Sequence, residues 1–361
     1  MAANEDLLFV ELALKRELVT QEEVDEILAV KEKLAEMGLA DSVADLMVKK
    51  GVLSESDAEA VRAKVSPKGG RQQIKGYRLL ERLGRGGMGS VYKAVQLSMD
   101  RTVALKVLKP SLVEDDQSTS RLRREAQLVG QLRHPNIVQG LDFGVSNGFH
   151  YFAMEYVDGE SVRQILGRDK RMKEADALRV VTDVAKALEH AHQEGVVHRD
   201  VKPGNILVAR DGASMLADYG LAKGPLEDAE LTRSGVTVGT PQYISPEQAQ
   251  GPKDVDIRTD VYSLGATLYH MLTGRPPYEG ETLAHLIQQV LYEEYAPVRA
   301  LRRDISPDVA YLVAKMMARK PSHRYQSPKA LLKDLKAIED GRSIIPAGWA
   351  GSIEALAVRR R

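Results

Sequence analysis

The spacing of apolar residues near the N-terminus predicts paired helices. Residues 12–29 (LALKRELVTQEEVDEILA) align with residues 46–63 (LMVKKGVLSESDAEAVRA) at an offset of 34 residues. Thr20 and Ser54 each precede acidic residues, so each is predicted to cap the N-terminus of a helix. Each repeat is therefore predicted to be a helix, a short turn and a capped second helix. Together the two repeats predict a small all-α domain over residues 1–65.

The pattern then changes from helical spacing to alternation. Residues 66–76 (SPKGGRQQIKG) have no regular spacing of apolar residues and are interpreted as a linker. Residues 77–96 have alternating apolar positions on both sides of a glycine cluster, which predicts a β-hairpin. Residues 102–109 (TVALKVLK) are predicted to form a third strand.

Helical periodicity dominates the rest of the chain. Residues 119–132 are predicted to form an amphipathic helix and residues 151–157 a strand, and the helical period takes over beyond Gly159. This order predicts a small strand-rich lobe and a larger helical lobe over residues 77–340. Residues 341–361 are interpreted as a C-terminal tail.

Composition narrows the class of protein. The 361 residues are 43% apolar and 28% charged, which is typical of a globular protein. The absence of cysteine excludes disulfides, thiolate zinc sites and cysteine nucleophiles. The net charge is zero, so no overall basicity indicates nucleic-acid binding. Residues 1–68 contain 9 Lys/Arg and 15 Asp/Glu, so the remainder carries a compensating positive charge that permits weak attraction between the two parts.

The same composition bears on location. No apolar run approaches the roughly 18 residues that would span a membrane, and the N-terminal MAANEDLLFV is acidic where a signal peptide is basic. A cytoplasmic protein is therefore expected. The C-terminal run ends in three arginines. It is either a frayed surface segment or the start of a membrane tether, if a spanning segment follows residue 361 in a longer protein.

Residues 195–208 (GVVHRDVKPGNILV) concentrate charge between two apolar runs. Buried charges cost several kcal/mol unless they are paired or bind a ligand, so this segment is either an exposed loop or a charged functional site. Asp200, Lys202 and Asn205 lie close together here, and Asp218 follows eighteen residues after Asp200. Two carboxylates and an amide at this spacing suit magnesium, with one acid left for a substrate hydroxyl.

A glycine cluster and a strand lysine precede this segment. Gly84, Gly86 and Gly89 fit the pattern G-x-G-x-x-G, which is also typical of a flexible hairpin turn. The β-like SVYKAV that follows argues against a dinucleotide-binding fold, and glycines in a hairpin let backbone N–H groups approach phosphates. Lys106 lies on the third predicted strand, and Glu125 on the following helix is its natural counter-ion. Taken alone, either residue could be an ordinary surface charge.

The order of these motifs resembles that of eukaryotic-type (Hanks-type) Ser/Thr protein kinases. The shared motifs, spread over residues 77–338, are GRGGMGSV, VALK, HRDVKPGN, DYG, SPE, TDVYSLG and HRY. The Lys-Pro-x-Asn loop resembles Ser/Thr rather than Tyr kinases, and VGTPQYISPEQAQG and HPNIV resemble the bacterial subgroup. The resemblance implies an α+β, bilobal protein-kinase fold with a small β-rich N-lobe and a large helical C-lobe, preceded by the small all-α domain.

The resemblance also implies catalytic roles. Asp200 would orient or accept the proton of the substrate hydroxyl, and Lys202 would steady the γ-phosphate. Lys106, aligned by Glu125, would hold the α- and β-phosphates of ATP. Asn205 and Asp218 would bind Mg²⁺. The residues implied at the ATP pocket, whose apolar members equally suit core packing, are Leu83, Gly84, Gly86, Gly89, Val91, Ala104, Lys106, Met154, Glu155, Val157 and Leu207.

Other positions are implied to support or regulate the site. Glu247 would pair with Arg324, and Asp260 would brace the catalytic loop. Two residues depart from the family pattern: Tyr219 replaces the usual Phe, and Ser245 replaces the usual Ala. Arg199 would meet a phosphate on an activation loop whose candidate phosphosites are Thr232, Ser234 and Thr237.

Three functions remain open at this point. The first is an active Ser/Thr kinase that transfers the γ-phosphate of Mg-ATP to protein hydroxyls and autophosphorylates its activation loop in signalling. The second is a nucleotide-binding pseudokinase scaffold, a class that usually lacks a motif Lys, Asp or Asn, all of which are present. The third, compatible with the first, is a sensor or adaptor that acts through residues 1–65.

The N-terminal repeats resemble the small helical N-terminal domain of type II secretion ATPases, which in some members binds a cyclic dinucleotide. Binding versions have an Arg-x-Gly near the start of each repeat. The aligned positions here are Leu8 and Val10, then Ser42 and Ala44, and only Gly51 of the two turn glycines is present. Without the Arg fork, we expect self-association or binding of a partner protein rather than of a cyclic dinucleotide. A helical cap resting on the kinase lobe remains the alternative.

Overall fold

The computed structural model describes residues 2–16, 18–36, 42–65, 74–86, 89–108, 126–219, 241–251 and 255–347. The chain divides into two compact units, residues 1–73 and 74–361. The division falls inside the segment interpreted as a linker. Ile74 belongs to the second unit because its side chain is buried in the core of the strand-rich lobe. Among the helices in these ranges, none has the length and apolar character needed to cross a bilayer.

The first unit contains the two helical repeats. Thr20 and Ser54 cap helices as predicted: the hydroxyl of Thr20 accepts a hydrogen bond from the N–H of Glu23 (3.3 Å), and that of Ser54 from the N–H of Asp57 (3.1 Å). One core is formed by apolar residues from all the helices of this unit. These helices are α1 (Ala2–Lys15), α2 (Gln21–Glu36), α3 (Val43–Lys49) and α4 (Glu55–Val65).

A buried acid joins three of these helices. Asp6 on α1 forms an ion pair with Lys31 on α2, and its other oxygen accepts a hydrogen bond from the N–H of Val43 on α3 (3.0 Å). Asp6 is almost fully buried, and both of its oxygens have partners, so its burial is compensated.

The strand-rich lobe of the second unit is a five-stranded antiparallel sheet in the order β1-β2-β3-β5-β4. The predicted hairpin is confirmed, with Gly86 paired to Gly89. Within the predicted helix 119–132, residues 126–131 are helical, and residues 119–125 lie outside the described residues. The strands are β1 (Tyr77–Gly86), β2 (Gly89–Gln96), β3 (Arg101–Leu108), β4 (Gly140–Ser146) and β5 (Phe149–Glu155).

From Val103 to Leu108, strand β3 is buried on both faces, in keeping with its nearly continuous apolar sequence. Val103 and Leu105 pack into an apolar cluster of the strand-rich lobe. Ala104 and Leu108 belong to the main core, the larger apolar cluster that continues into the helical lobe. Side chains alternate along a strand, so Lys106 lies on the same face as Ala104.

Strand β5 ends at Glu155 rather than at residue 157 as predicted. The apolar Val157 that prompted the longer prediction instead packs against the main core from outside the strand.

The helical lobe is built around a buried helix, α8, in which 14 of 17 residues are buried. A helix that is buried on nearly all sides belongs in the centre of a lobe. A three-stranded sheet of β6 (Gly159–Ser161), β7 (Ile206–Ala209) and β8 (Ser214–Leu216) lies in the same unit. The helices are α5 (Val162–Asp169), α6 (Glu174–Gln193), α7 (Pro246–Gln250), α8 (Ile257–Thr273), α9 (Leu283–Tyr292), α10 (Val298–Leu301), α11 (Pro307–Met316) and α12 (Pro328–Glu339).

Candidate active site

The loop that precedes Asp200 is held by a carboxylate at the start of α8. Arg199 has a φ of +63°, a left-handed conformation that is strained for a residue with a side chain. Its N–H donates to Oδ1 of Asp260 (2.7 Å), and the N–H of His198 donates to Oδ2 (2.8 Å). Asp260 is fully buried, so the central helix of the lobe holds the loop in place. Burial raises the pKa of Asp260 to about 7, although both backbone N–H groups favour its charged form.

The Asp200 carboxylate is oriented by two neighbours. The ammonium of Lys202 lies 2.8 Å from Oδ2 of Asp200. The amide nitrogen of Asn205 donates to the same oxygen (3.1 Å) and to the backbone carbonyl of Asp200 (2.9 Å). The turn that includes Asn205, Pro203–Asn205, returns the chain toward Asp200 and makes these contacts possible. The three polar residues singled out in this loop therefore form one connected group.

Lys106 and Asp218 meet between the two lobes. Nζ of Lys106 lies 2.8 Å from Oδ1 of Asp218. Lys106 is only 5% exposed, so its charge requires a partner. Asp218 also has a positive φ, +58°. The structure thus brings together a strand lysine and an acid that are 112 residues apart.

The imidazole of His198 links the Asp200 loop to the segment that carries Asp218. Its Nδ1 accepts a hydrogen bond from the N–H of Asp200 (3.1 Å), so its proton is on Nε2, which donates to the carbonyl of Ala217 (3.0 Å). The N–H of Ala217 donates in turn to the carbonyl of Asn205 (2.8 Å). Hydrogen bonds of His198 and of Ala217 therefore hold the segments of Asp200 and Asp218 in fixed relative positions.

An apolar cluster adjoins these charges. Ala104 pairs with Met154 across β3 and β5, and both are buried in the main core. Val91, Val157 and Leu207 pack against the same cluster and are partly exposed. Five of the six apolar residues assigned to the ATP pocket from the sequence thus belong to one cluster, and Leu83 does not.

Glu155 and Val157, two residues implied at the ATP pocket, lie at and just beyond the end of β5. The N–H of Glu155 donates to the carbonyl of Gln139 (2.9 Å), so only its carbonyl is suited to a ligand. The N–H of Val157 makes no hydrogen bond with any residue that the structure describes. Of these three residues, the sequence analysis missed Gln139, because its role depends on a contact formed only in the folded protein.

The glycine pattern has one position where only glycine fits. Gly89 has a φ of +151°, and a Cβ there would collide with the carbonyl oxygen of Val107 on β3. Gly84 and Gly86 have open space around them. Leu83, also assigned to the pocket, is 43% exposed on β1.

A buried ion pair supports the helical lobe. Arg324 makes two hydrogen bonds to Glu247, at 2.6 and 2.8 Å, and its side chain is fully buried. Thr259 donates to the same carboxylate at 2.7 Å. Burial alone would raise the pKa of Glu247, but the contacts with Arg324, Thr259 and the backbone together hold this pKa below its usual value.

Comparison with known proteins decides the family. The family model of the protein kinase domain matches residues 77–335. The serine/threonine-protein kinase PknB of Mycobacterium leprae is 40% identical over 270 residues, 74% of this chain and 43% of that protein. The serine/threonine-protein kinase pkn3 of Myxococcus xanthus is 39% identical over 293 residues, 78% of this chain and 53% of that protein. The chain belongs to the protein kinase family. It spans about half the length of these relatives.

The protein-kinase fold expected from the motifs is confirmed by a solved structure. The crystal structure of the kinase domain of PknI from Mycobacterium tuberculosis has a TM-score of 0.59 and 30% identity, and covers 73% of this chain and 96% of that one. Membership of the protein kinase family implies ATP as the co-substrate, usually with a divalent metal.

Four residues assigned to the kinase domain from its motifs lie outside the described residues. They are Glu125, which was expected to pair with Lys106, and the candidate phosphosites Thr232, Ser234 and Thr237.

Proposed function

We propose that this chain is an ATP-dependent protein serine/threonine kinase that transfers the γ-phosphate of ATP to protein hydroxyls. The observation that carries the proposal is the connected group of Asp200, Lys202 and Asn205, tied through His198 to the segment of Asp218. In the transfer, the substrate oxygen forms a bond to the γ-phosphorus, the bond from that phosphorus to the leaving oxygen of ADP breaks, and Asp200 takes the hydroxyl proton. Lys106 binds the α- and β-phosphates, and Lys202 steadies the γ-phosphate.

The residues present fit a divalent cation of the Mg²⁺ type. The amide nitrogen of Asn205 is used toward Asp200, and its amide oxygen accepts no hydrogen bond from the part of the chain described. Together with the carboxylate of Asp218, it supplies the hard oxygen donors that Mg²⁺ prefers. When bound, Mg²⁺ would neutralise charge on the phosphates.

The test is phosphate transfer from labelled ATP to a generic protein substrate. Asp200→Asn is expected to lower turnover by at least about 100-fold, because the variant cannot take the hydroxyl proton. It should leave ATP affinity unchanged. Asp218→Asn should weaken binding of Mg-ATP as well, since it removes a metal ligand.

The pseudokinase scaffold predicts a different result from the same assay. A scaffold would bind ATP but show no transfer, and Asp200→Asn would then change nothing. Turnover near that of the wild type in either variant would contradict the assignment of roles.

Autophosphorylation of Thr232, Ser234 or Thr237 is proposed as the control of this activity. A phosphate adds about −1.5 to −2 charge and can order a loop through an arginine such as Arg199. Mass spectrometry of the chain after incubation with Mg-ATP should find phosphate between residues 224 and 239. Full activity without phosphate in this range would point to another switch.

For residues 1–65 we propose a module for self-association or for binding of a partner protein. The resemblance to the N-terminal domain of type II secretion ATPases supports this proposal, and Leu8 and Ser42, in place of arginines, argue against a cyclic dinucleotide. Calorimetric titration of the full chain with cyclic di-GMP should therefore show no heat of binding. Micromolar affinity would make the module a second-messenger sensor instead.

A further inference from the structure

A glutamine on α7 connects the catalytic loop to the helix that follows the activation segment. Gln248 is 9% exposed, and its amide nitrogen donates to the carbonyl of Arg199 (3.0 Å). Its amide oxygen accepts hydrogen bonds from the N–H and the hydroxyl of Ser245, both at 3.2 Å. The hydroxyl of Ser245 accepts one from the N–H of Gln248 in return (3.3 Å). The amide nitrogen of Gln248 therefore contacts the catalytic loop, and its amide oxygen contacts Ser245.

The carbonyl that Gln248 contacts belongs to the peptide that leads into Asp200. Arg199 is the strained residue of the loop, and such a conformation persists only where the surroundings enforce it. Asp260 holds the N–H of Arg199, and Gln248 holds its carbonyl. These two contacts fix the peptide planes on both sides of Arg199. The second of these planes sets the direction in which the Asp200 side chain leaves the backbone.

We infer that Gln248 is a positioning residue for Asp200. It fixes the Arg199–Asp200 peptide plane and couples the segment from Pro241 to Gln250 to the catalytic loop. This inference rests on the proposed kinase activity. It adds to that proposal a residue outside the catalytic and metal-binding set. Catalytic groups held slightly out of position lose much of their effect, so loss of this contact should lower turnover rather than ATP binding.

The chemistry of the contact identifies the variants that test it. Glu at position 248 keeps an oxygen for the N–H of Ser245, as in an ordinary capping box. It has no N–H to donate, and it places a carboxylate beside the carbonyl of Arg199. Ser245→Ala does the opposite: it removes the cap and leaves the Arg199 contact intact. Comparing these two variants separates positioning from helix stability.

The experiment measures transfer by the full chain, with kcat and KM for ATP determined separately. Gln248→Glu is expected to lower kcat by at least about tenfold at unchanged KM for ATP. Ser245→Ala should keep kcat within about threefold of wild type and lower the melting temperature. Gln248→Glu with wild-type kcat, or with an equal loss in kcat and ATP affinity, would overturn the inference.

Hydrogen exchange at the amide of Asp200 provides a readout that does not depend on activity. This N–H is bonded to His198, so it should be protected in the wild type. Gln248→Glu should speed its exchange by about tenfold or more, while amides in the middle of α8 keep their rates. Unchanged protection would overturn the inference even if kcat fell. A wild type that transfers no phosphate but shows the faster exchange in the variant would refute the kinase proposal and leave the contact established.

Discussion

Arg199 and Asp218 both have a left-handed backbone; Arg199 directly precedes Asp200, and Asp218 is itself assigned to the metal. Asp and Asn tolerate this conformation, whereas Arg gains nothing from it locally. The strain at Arg199 is therefore sustained by its two backbone contacts, with Asp260 and Gln248. Residues held in rare conformations concentrate at active sites. Here the strain lies next to Asp200, which supports its assignment as the reacting acid.

Tyr219 is a second residue of the site that lowers the stability of the fold, in this case through its buried hydroxyl. Its hydroxyl is buried and has no hydrogen-bond partner among the described residues, while its ring packs edge-on against His198, with centroids 4.5 Å apart. Burial raises the pKa of this phenol well above its usual value, so it stays neutral. Tyr219→Phe removes the unpaired hydroxyl and keeps the ring. We expect the free energy of unfolding to rise by about 1–2 kcal/mol.

Urea denaturation measures this change, and the chain offers a matched control. The hydroxyl of Tyr243 is also buried but lies 2.6 Å from Nδ1 of His270. Tyr243→Phe should therefore lower stability by about 1 kcal/mol. A loss of stability in both variants would mean that the Tyr219 hydroxyl has a partner, such as an ordered water.

At the scale of elements, the sequence correctly predicted the features that depend on contacts between residues close together in the chain. The caps at Thr20 and Ser54 and the glycine hairpin follow from neighbours in sequence, and all three are present. The end of β5 was misplaced by two residues, because the apolar Val157 also suits a strand. The contacts of Gln139 with Glu155 and of Gln248 with Arg199 could not be predicted. Each contact joins two residues of the same lobe, 16 and 49 positions apart, which come together only in the folded chain.

The ion pair of Arg324 and Glu247 joins α7 to the segment that precedes α12. Arg324 also donates to three backbone carbonyls, so every N–H group of its guanidinium has an acceptor. Arg324→Met would leave the Glu247 carboxylate, whose side chain is only 13% exposed, without its counter-ion. We expect the free energy of unfolding to fall by about 3–5 kcal/mol in urea denaturation at pH 7.

Two controls make this prediction specific to burial. The double variant Glu247→Met with Arg324→Met should recover much of the lost stability, because no charge then remains buried. Arg168 forms a comparable pair with Glu160 (2.6 Å) on the surface, and Arg168→Ala should cause no measurable change. Equal losses of unfolding free energy from Arg324→Met and Arg168→Ala would show that the buried pair stabilises the fold no more than a surface pair does.

At the scale of the kinase domain, the two lobes are joined by backbone contacts as well as by the pair of Lys106 and Asp218. Val138 donates to the carbonyl of Leu216, and Leu216 donates to that of Asn136 (3.0 and 2.8 Å). These bonds attach the segment before β4 to β8, two residues before Asp218. The position of Asp218 relative to both lobes is thus fixed by the main chain, which a motif search cannot reveal.

We expect one histidine to contribute to the loss of stability of the whole domain in acid. His270 on α8 is partly buried, and its Nδ1 accepts a hydrogen bond from Tyr243. Burial lowers the pKa of His270 to about 4, whereas the unfolded chain takes up this proton near pH 6.5. Between these values the unfolded state binds more protons, so the free energy of unfolding falls as the pH falls. The slope from this group is at most about 1.4 kcal/mol per pH unit.

His270→Asn isolates this contribution, since the amide oxygen of Asn can accept from Tyr243 and does not titrate. Urea denaturation at pH 7.5, 6.5, 5.5 and 4.5 should show wild type losing stability relative to the variant below about pH 6.5. Asp260 acts in the opposite direction: its raised pKa of about 7 makes the folded state bind a proton first as the pH falls. That effect is common to both proteins and cancels in the difference. Parallel pH profiles for the two proteins would show that His270 is charged in the folded state and that its burial has no energetic consequence.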